Sequence, residues 1–183
     1  MRPRFGRSIW RVLAWGILLA LPAFFVLAVA WVMWPDRPLE PGVKADKIVV
    51  LKSQRRLLLL RGDKTLKAYR VAIGRDPRGH KLREGDGRTP EGTYYIDWRN
   101  PKSKFHLSLH ISYPNEADRA RARAAGVSPG GNIMIHGLGR RVAWLGRLHW
   151  LVGRTHGCIA VTNREIEEIW RAVDDGTPVE IRP

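Results

Sequence analysis

The one cysteine of this 183-residue chain, Cys158, lies in Arg154-Thr155-His156-Gly157-Cys158-Ile159-Ala160-Val161-Thr162-Asn163, downstream of Asn132-Ile133-Met134-Ile135-His136-Gly137. The two segments hold two of the six histidines and a glycine beside each reactive side chain. Ile133-Met134-Ile135 reads as a short buried strand that delivers His136 at its end. Thr155-His156-Gly157-Cys158 reads as a tight turn in which Gly157 lets the backbone bend close to the thiol. A thiol near an imidazole is the minimal apparatus for nucleophilic acyl chemistry, because a free thiol is mostly protonated at neutral pH and needs a neighbouring base. Two other readings fit the same residues. A lone cysteine is often a small buried apolar residue, and a histidine after a strand is often simply hydrogen-bonded. Zinc is the third reading, with His106, His110, His136, His156 and Cys158 as the ligand pool. No pair among them has the tight Cys-x2-Cys or His-Glu-x-x-His spacing that would make it specific.

The elements around these residues are mostly strands. Ile48-Val49-Val50-Leu51 and Leu57-Leu58-Leu59-Leu60 flank a polar turn at Ser53-Gln54-Arg55, and Leu66 to Ile73 alternates imperfectly, which suggests a three-stranded antiparallel start. Residues 74–92 are polar and glycine-rich and read as a solvated loop. Thr93-Tyr94-Tyr95-Ile96 is the next strand. Phe105 to Ser112 then alternates, with Phe105, Leu107, Leu109 and Ile111 on one face and His106, Ser108, His110 and Ser112 on the other. Asn115 to Ala125 is alanine-rich, follows Pro114 and stops at Gly126, as a short exposed helix would. Trp144, Leu145, Leu148, Leu151 and Val152 fall at helical spacing and read as packing that could partly roof the site. Thr162-Asn163-Arg164-Glu165 is a capping box, opening a helix with Ile166, Ile169, Trp170 and Val173 on one face. Amides at the start of that helix would raise the thiolate character of Cys158. Thr177 to Ile181 is a final strand. Strands outnumber helices, and the helices cluster late, so the fold class is mainly β with short α-helices (α+β).

Net charge is +15, and four arginines (Arg2, Arg4, Arg7, Arg11) precede an apolar segment, leaving +11 beyond it. No RNA- or DNA-binding signature accompanies the charge, so nucleic acid is not expected as a partner, whereas an anionic wall polymer or lipid headgroups suit it. Residues 12–34 carry no charge and are long enough to cross a hydrocarbon core of about 30 Å as one helix. The arginines before them place the N-terminus in the cytoplasm and everything after the segment outside. Trp31 and Trp34 would sit at the far interface. Ala28-Val29-Ala30 offers the competing reading of a cleaved signal peptide. The chain therefore divides into an N-terminal basic stretch and anchor (1–34), a proline-rich linker (35–46) and a folded domain (47–183).

His136, a spacer of about twenty residues, then Thr155-His156-Gly157-Cys158 resembles the active-site signature of the L,D-transpeptidases, the YkuD-type catalytic domain. Gly85-Asp86-Gly87-Arg88-Thr89-Pro90-Glu91-Gly92-Thr93-Tyr94 resembles a second, upstream element of that family, and the likeness covers about Lys47 to Pro183. Many members carry arginine two residues after the cysteine, where this chain has Ala160. The resemblance implies a sandwich-like, mostly β domain that acts on peptidoglycan stem peptides in the bacterial envelope without metal or cofactor. Cys158 would be the nucleophile and His136 the general base. The Gly137 carbonyl would orient the imidazole, and His156 with the amides of Gly157 and Cys158 would stabilise the oxyanion. The acyl group would pass to an amine of a second stem peptide (a 3→3 cross-link) or of an envelope protein. Water as acceptor would make the chain an L,D-carboxypeptidase, and a decayed site would leave a peptidoglycan-binding module.

Overall fold

The computed structural model describes residues 18, 20–30 and 37–183, and the chain divides into two compact units, Met1–Asp36 and Arg37–Pro183. In the first unit residues 20–30 are helical (α1), with Leu21, Phe24, Phe25 and Leu27 exposed. No helix among the described residues is long and apolar enough to cross a membrane. Of the span expected at residues 12–34, residues 12–17, 19 and 31–34 lie outside them, as do Arg2, Arg4, Arg7 and Arg11.

The second unit is built on eight strands in the order β3-β2-β1-β8-β4-β5-β6-β7. β1 (Lys47–Leu51), β2 (Arg56–Arg61) and β3 (Lys64–Arg70) form the antiparallel start read from the sequence, with Val49 opposite Leu58 and Leu58 opposite Ala68. The last strand, β8 (Pro178–Arg182), lies parallel to β1. β4 (Gly92–Ser103) is shared: Gly92 to Tyr95 pair with β8, and its second half pairs with β5 (His106–Ile111). Register shifts between Ile96 and Trp98 and between Asn100 and Ser103 interrupt that second pairing, and such bulges bend a strand. β6 (Met134–His136) runs antiparallel to β5, and β7 (Ile159–Ala160) parallel to β6. The expected sandwich is thus one continuous sheet order whose halves share β4.

Alternation along the strands supplies one core. Ile48, Val50, Leu57 and Leu59 from one half and Leu109, Ile111, Ile135 and Ile159 from the other join Ile166 and Ile169 of α4 (Asn163–Ala172) in a single buried cluster. Each such side chain contributes roughly 1.5–3 kcal/mol on burial. α4 begins at the expected capping box: Thr162 Oγ1 accepts from Glu165 N, and Glu165 Oε2 accepts from Thr162 N at 2.8 Å. The alanine-rich helix, α2 (Glu116–Ala124), has an equivalent box from Asn115 and Asp118.

Four local expectations change. Phe105 is not on the core face, because His106 adopts φ 77° and breaks the alternation. The segment with helical spacing splits into a 3-10 helix (Ala143–Leu148) and one turn of α-helix, α3 (His149–Val152), and Trp144, Leu151 and Val152 are exposed rather than packed. Residues 37–46 lie against the domain: Leu39 packs on the core, and Ala45 N donates to Ala172 O. The loop at 74–92 is anchored from inside by Lys52, only 2 % exposed, which donates to Gly79 O, Thr89 O and Glu91 Oε1 at 2.6, 2.9 and 2.8 Å. Lys52→Met leaves those acceptors unpaired in the interior, and chemical denaturation should show a loss of about 3 kcal/mol.

Candidate active site

The site is set by the parallel pairing of β6 with β7, in which Ile135 opposes Ile159 and His136 opposes Ala160. Ile135 and Ile159 are fully buried in the core. Side chains alternate along a strand, so His136, Ala160 and Cys158, which immediately precedes β7, occupy the other face. The two reactive side chains are therefore diagonal neighbours on one face, with Cys158 towards the Met134 end and Ala160 directly across from His136.

His136 is 7 % exposed. Its Nδ1 lies 2.6 Å from Gly137 O, and a carbonyl only accepts, so Nδ1 carries the proton and Nε2 presents a lone pair. The Phe105 ring stacks on the imidazole at 4.5 Å. Gly137 is fixed in turn: its N–H donates to Leu107 O, and Asn163 Oδ1 accepts from Leu138 N at 2.7 Å. A Cβ on Gly137 would fall 2.8 Å from both Asn163 Oδ1 and Phe105 O, so only glycine allows this approach.

The turn before Cys158 is closed by Thr155, whose Oγ1 donates to Cys158 O at 2.6 Å and accepts from Gly157 N at 3.1 Å. Gly157 has φ 130°, and a Cβ there would lie 2.6 Å from Arg88 O. Its amide is already used by Thr155, so of the two amides expected to act together only that of Cys158 is not engaged by Thr155. His156, the remaining candidate, is exposed and forms no hydrogen bond among the described residues. His106 and His110 bond Glu167 and Asp97 instead, at 2.7 and 2.6 Å. Among the described residues no three His, Cys, Asp or Glu side chains are grouped to hold a metal.

Cys158 donates to Asn132 O across 3.5 Å. Burial pushes its thiol above the usual 9.0; a Met134 backbone hydrogen bond and the Lys81 ammonium oppose that only in part. The raised thiolate character expected from the α4 amides is not what the site shows, because desolvation dominates. Burial likewise lowers His136 below 6.5, against the pull of the Gly137 carbonyl. At neutral pH the pair rests as thiol and neutral imidazole.

Several contributors escape the sequence reading. Asn163 looked like part of a cap, but its oxygen acts on a residue 25 positions away. Lys81 sat in a presumed solvated loop, yet it is 3 % exposed and bonded to Asp86, whose carboxyl four donors hold down to about 2. Ser108, directly across from His136, has a buried hydroxyl with no partner among the described residues. Beside His136 opens a cavity of about 330 Å³, lined by Ala72, Leu138, Val142, Leu145 and Ala160 among others.

The fold is thus of the α+β class, a continuous eight-stranded sheet that presents a thiol and a carbonyl-held imidazole on one face. Residues 45–181 match the model of the YkuD family, the L,D-transpeptidase catalytic domain, and the chain belongs to that family. It is 32 % identical over 111 residues to YafK of Escherichia coli (strain K12), whose description places it with the L,D-transpeptidases; this spans 59 % of the chain and 37 % of YafK. The structure resembles the helical cell shape determining protein Pgp2 from Campylobacter jejuni (26 % identity, TM-score 0.56, 81 % of this chain and 52 % of Pgp2). It also resembles Bd1075 of Bdellovibrio bacteriovorus (24 % identity, TM-score 0.53, 81 % and 53 %). The chain thus spans about half the length of these structures, and less of YafK.

The neutral resting pair gives a pH signature. The rate of Cys158 alkylation by iodoacetamide should climb with an inflection above pH 9.0. A reactive plateau persisting down to about pH 5 would indicate a thiolate–imidazolium pair instead.

Proposed function

We propose that this chain is a cysteine-dependent L,D-transpeptidase acting on peptidoglycan stem tetrapeptides. The observation that carries the reading is His136 held through Nδ1 by Gly137 O, with Nε2 open on the face it shares with Cys158. As Cys158 Sγ attacks the carbonyl carbon joining the third stem residue to D-alanine, His136 Nε2 takes the thiol proton. The developing oxyanion is met by the Cys158 amide, with His156 able to approach from its exposed position. Collapse of the adduct expels D-alanine, whose nitrogen receives the proton from Nε2, and leaves a thioester. An amine then gives a proton to Nε2 as it attacks. The C–S bond breaks, and sulfur recovers the proton.

A resting neutral pair suits this sequence, because the proton moves only when a carbonyl is in place to receive the sulfur electrons. Burial that disfavours both charged forms at rest also strengthens the interactions that appear in the transition state. Membership of the family and the likeness to Pgp2 support wall chemistry, and through it a role in cell shape. The domain would work on the outer side of the cytoplasmic membrane, held by residues 12–34. A native protein whose N-terminal sequence begins near Trp31 would replace that anchor with a cleaved signal peptide.

Intact-protein mass after exposure to disaccharide tetrapeptide or a carbapenem tests the chemistry. Wild type should gain the acyl mass, Cys158→Ala none, and His136→Ala should react slower by ~10²–10⁴-fold. An adduct on Cys158→Ala, or an undiminished rate in His136→Ala, would contradict the assignment. Acylation followed only by hydrolysis, whatever amine is offered, would make the protein a carboxypeptidase.

A further inference from the structure

The sheet face that carries the reactive pair continues outward across β5 and β4. In the β5–β6 pairing His110 opposes Met134. One step back from the β6–β7 register, Met134 neighbours Cys158, and its backbone bonds the thiol. Residues directly opposite in a sheet share a face, so Cys158, Met134 and His110 form one row across three strands. Alternation from the core residue Ile96 would return Trp98 to the core side and end that row. The register shift between Ile96 and Trp98 changes this: Trp98 opposes His110 and stacks on it at 5.0 Å, 18° from parallel. A bulge re-aims a side chain. Here it turns an indole outward, 41 % exposed, at the end of the row.

The indole is braced. His110 Nδ1 lies 2.6 Å from Asp97 Oδ1, so the residue that the bulge adds ties down the ring supporting Trp98. Tyr95, between the buried Tyr94 and Ile96, also faces outward and is 51 % exposed. The charge held in this patch is a carboxylate: Asp97 is exposed, while Arg99 is drawn to Asp175 and the end of α4. Aromatic faces beside a carboxylate suit a hydroxylated ring, whose C–H side packs on the aromatic and whose hydroxyls donate to the carboxylate. An anionic headgroup would meet the wrong charge. The distance also fits. Adjacent strands lie about 4.8 Å apart, so the three steps from Cys158 to Trp98 cover ~14 Å. The three stem residues before the attacked carbonyl reach ~10–11 Å when extended, and the sugar that carries them begins just beyond.

We propose that Trp98, braced by His110 and Asp97, is a sugar-binding platform that seats a pyranose ring of the glycan from which the stem peptide hangs. The inference rests on the acyl-transfer reading above for the substrate to which the sugar belongs, though the binding itself does not need it. The stem would cross the sheet face along His110 and Met134 to reach Cys158. No bond is made or broken at the platform. It holds a stem near the thiol and so favours glycan-borne peptide over free peptide. Two sources share this chemistry, the glycan of the acyl donor and the glycan of the acceptor.

Two measurements on the full-length protein test this. The first is the rate of Cys158 acylation by disaccharide tetrapeptide relative to free tetrapeptide, and of acyl capture by the same two molecules as amines. In wild type the sugar-bearing form should lead on the order of tenfold at one of these steps. Trp98→Ala should bring that ratio close to one, and Trp98→Phe should keep most of it. A change in the acylation ratio assigns the sugar to the donor, and a change confined to capture assigns it to the acceptor. The second is NMR of the indole N–H groups, with the Trp98 signal assigned by its loss in Trp98→Phe. Titration with the peptide-free disaccharide of N-acetylglucosamine and N-acetylmuramic acid should shift that signal. A wild-type ratio near one at both steps, equal losses for both forms in Trp98→Ala, or an unmoved Trp98 signal would overturn the platform while leaving acylation of Cys158 standing. A protein that never acylates but whose Trp98 signal moves would keep the platform and remove the acyl-transfer reading.

Discussion

The arrangement depends on the parallel register of two very short strands. With Ile135 against Ile159 in the core, the period of two forces His136, Cys158 and Ala160 onto the opposite face. A slip of one residue would turn the imidazole into the apolar core and its isoleucine neighbour out of it, so the hydrophobic core itself holds the reactive pair in place. Strands of three and two residues cannot hold a register through their own hydrogen bonds. The neighbours hold it: β5 pairs with β6, Ala72 brackets Ala160 by exchanging two backbone hydrogen bonds, and Ile166 of α4 closes the core beneath. The placement of the thiol and imidazole and the packing of the core are here the same constraint seen from two faces.

On that base the site is built from carbonyls and glycines more than from charges. Gly137 presents a carbonyl to His136, and Gly157 lets the turn pass under Arg88 O. The cost is a half-buried thiol and a buried imidazole, each pushed towards its neutral form. Lys81 is the counterweight. It is an interior cation whose charge reaches Cys158 and which Asp86 and the Arg83 carbonyl hold in position. The loop that carries it is tied down by the second interior lysine, Lys52. A segment that looks solvated in composition is thereby made part of the reactive environment.

Much of this was legible in the chain. The motif pair named the imidazole and the thiol that the β6–β7 register brings onto one face. The Thr162/Glu165 box and the apolar face of α4 gave the helix that supports them, and the antiparallel start followed from alternation. What stayed hidden has a physical pattern. Lys52 and Lys81 read as surface because composition does not reveal that a ring of carbonyls awaits each ammonium. Phe105 reads as core because a positive φ at the next residue, His106, cannot be seen in alternation. Asn163 reads as a local cap because its partner is distant in sequence. The helix-spaced apolar residues at 144–152 read as packing that could partly roof the site, and of these Leu145 and Val152 line the cavity beside His136 while Trp144 is exposed. Local pattern found the elements, and the long-range contacts chose what several side chains do.

The central claim is that His136 is held as a neutral base with Nδ1 protonated and Nε2 open. Nitrogen-15 NMR of histidine-labelled protein, with the His136 signals assigned by their loss in His136→Gln, tests it most directly. The account predicts a neutral, Nδ1-protonated ring at pH 7 that takes up a second proton only below pH 6.5. An Nε2-protonated tautomer, or an imidazolium at pH 7, would contradict it.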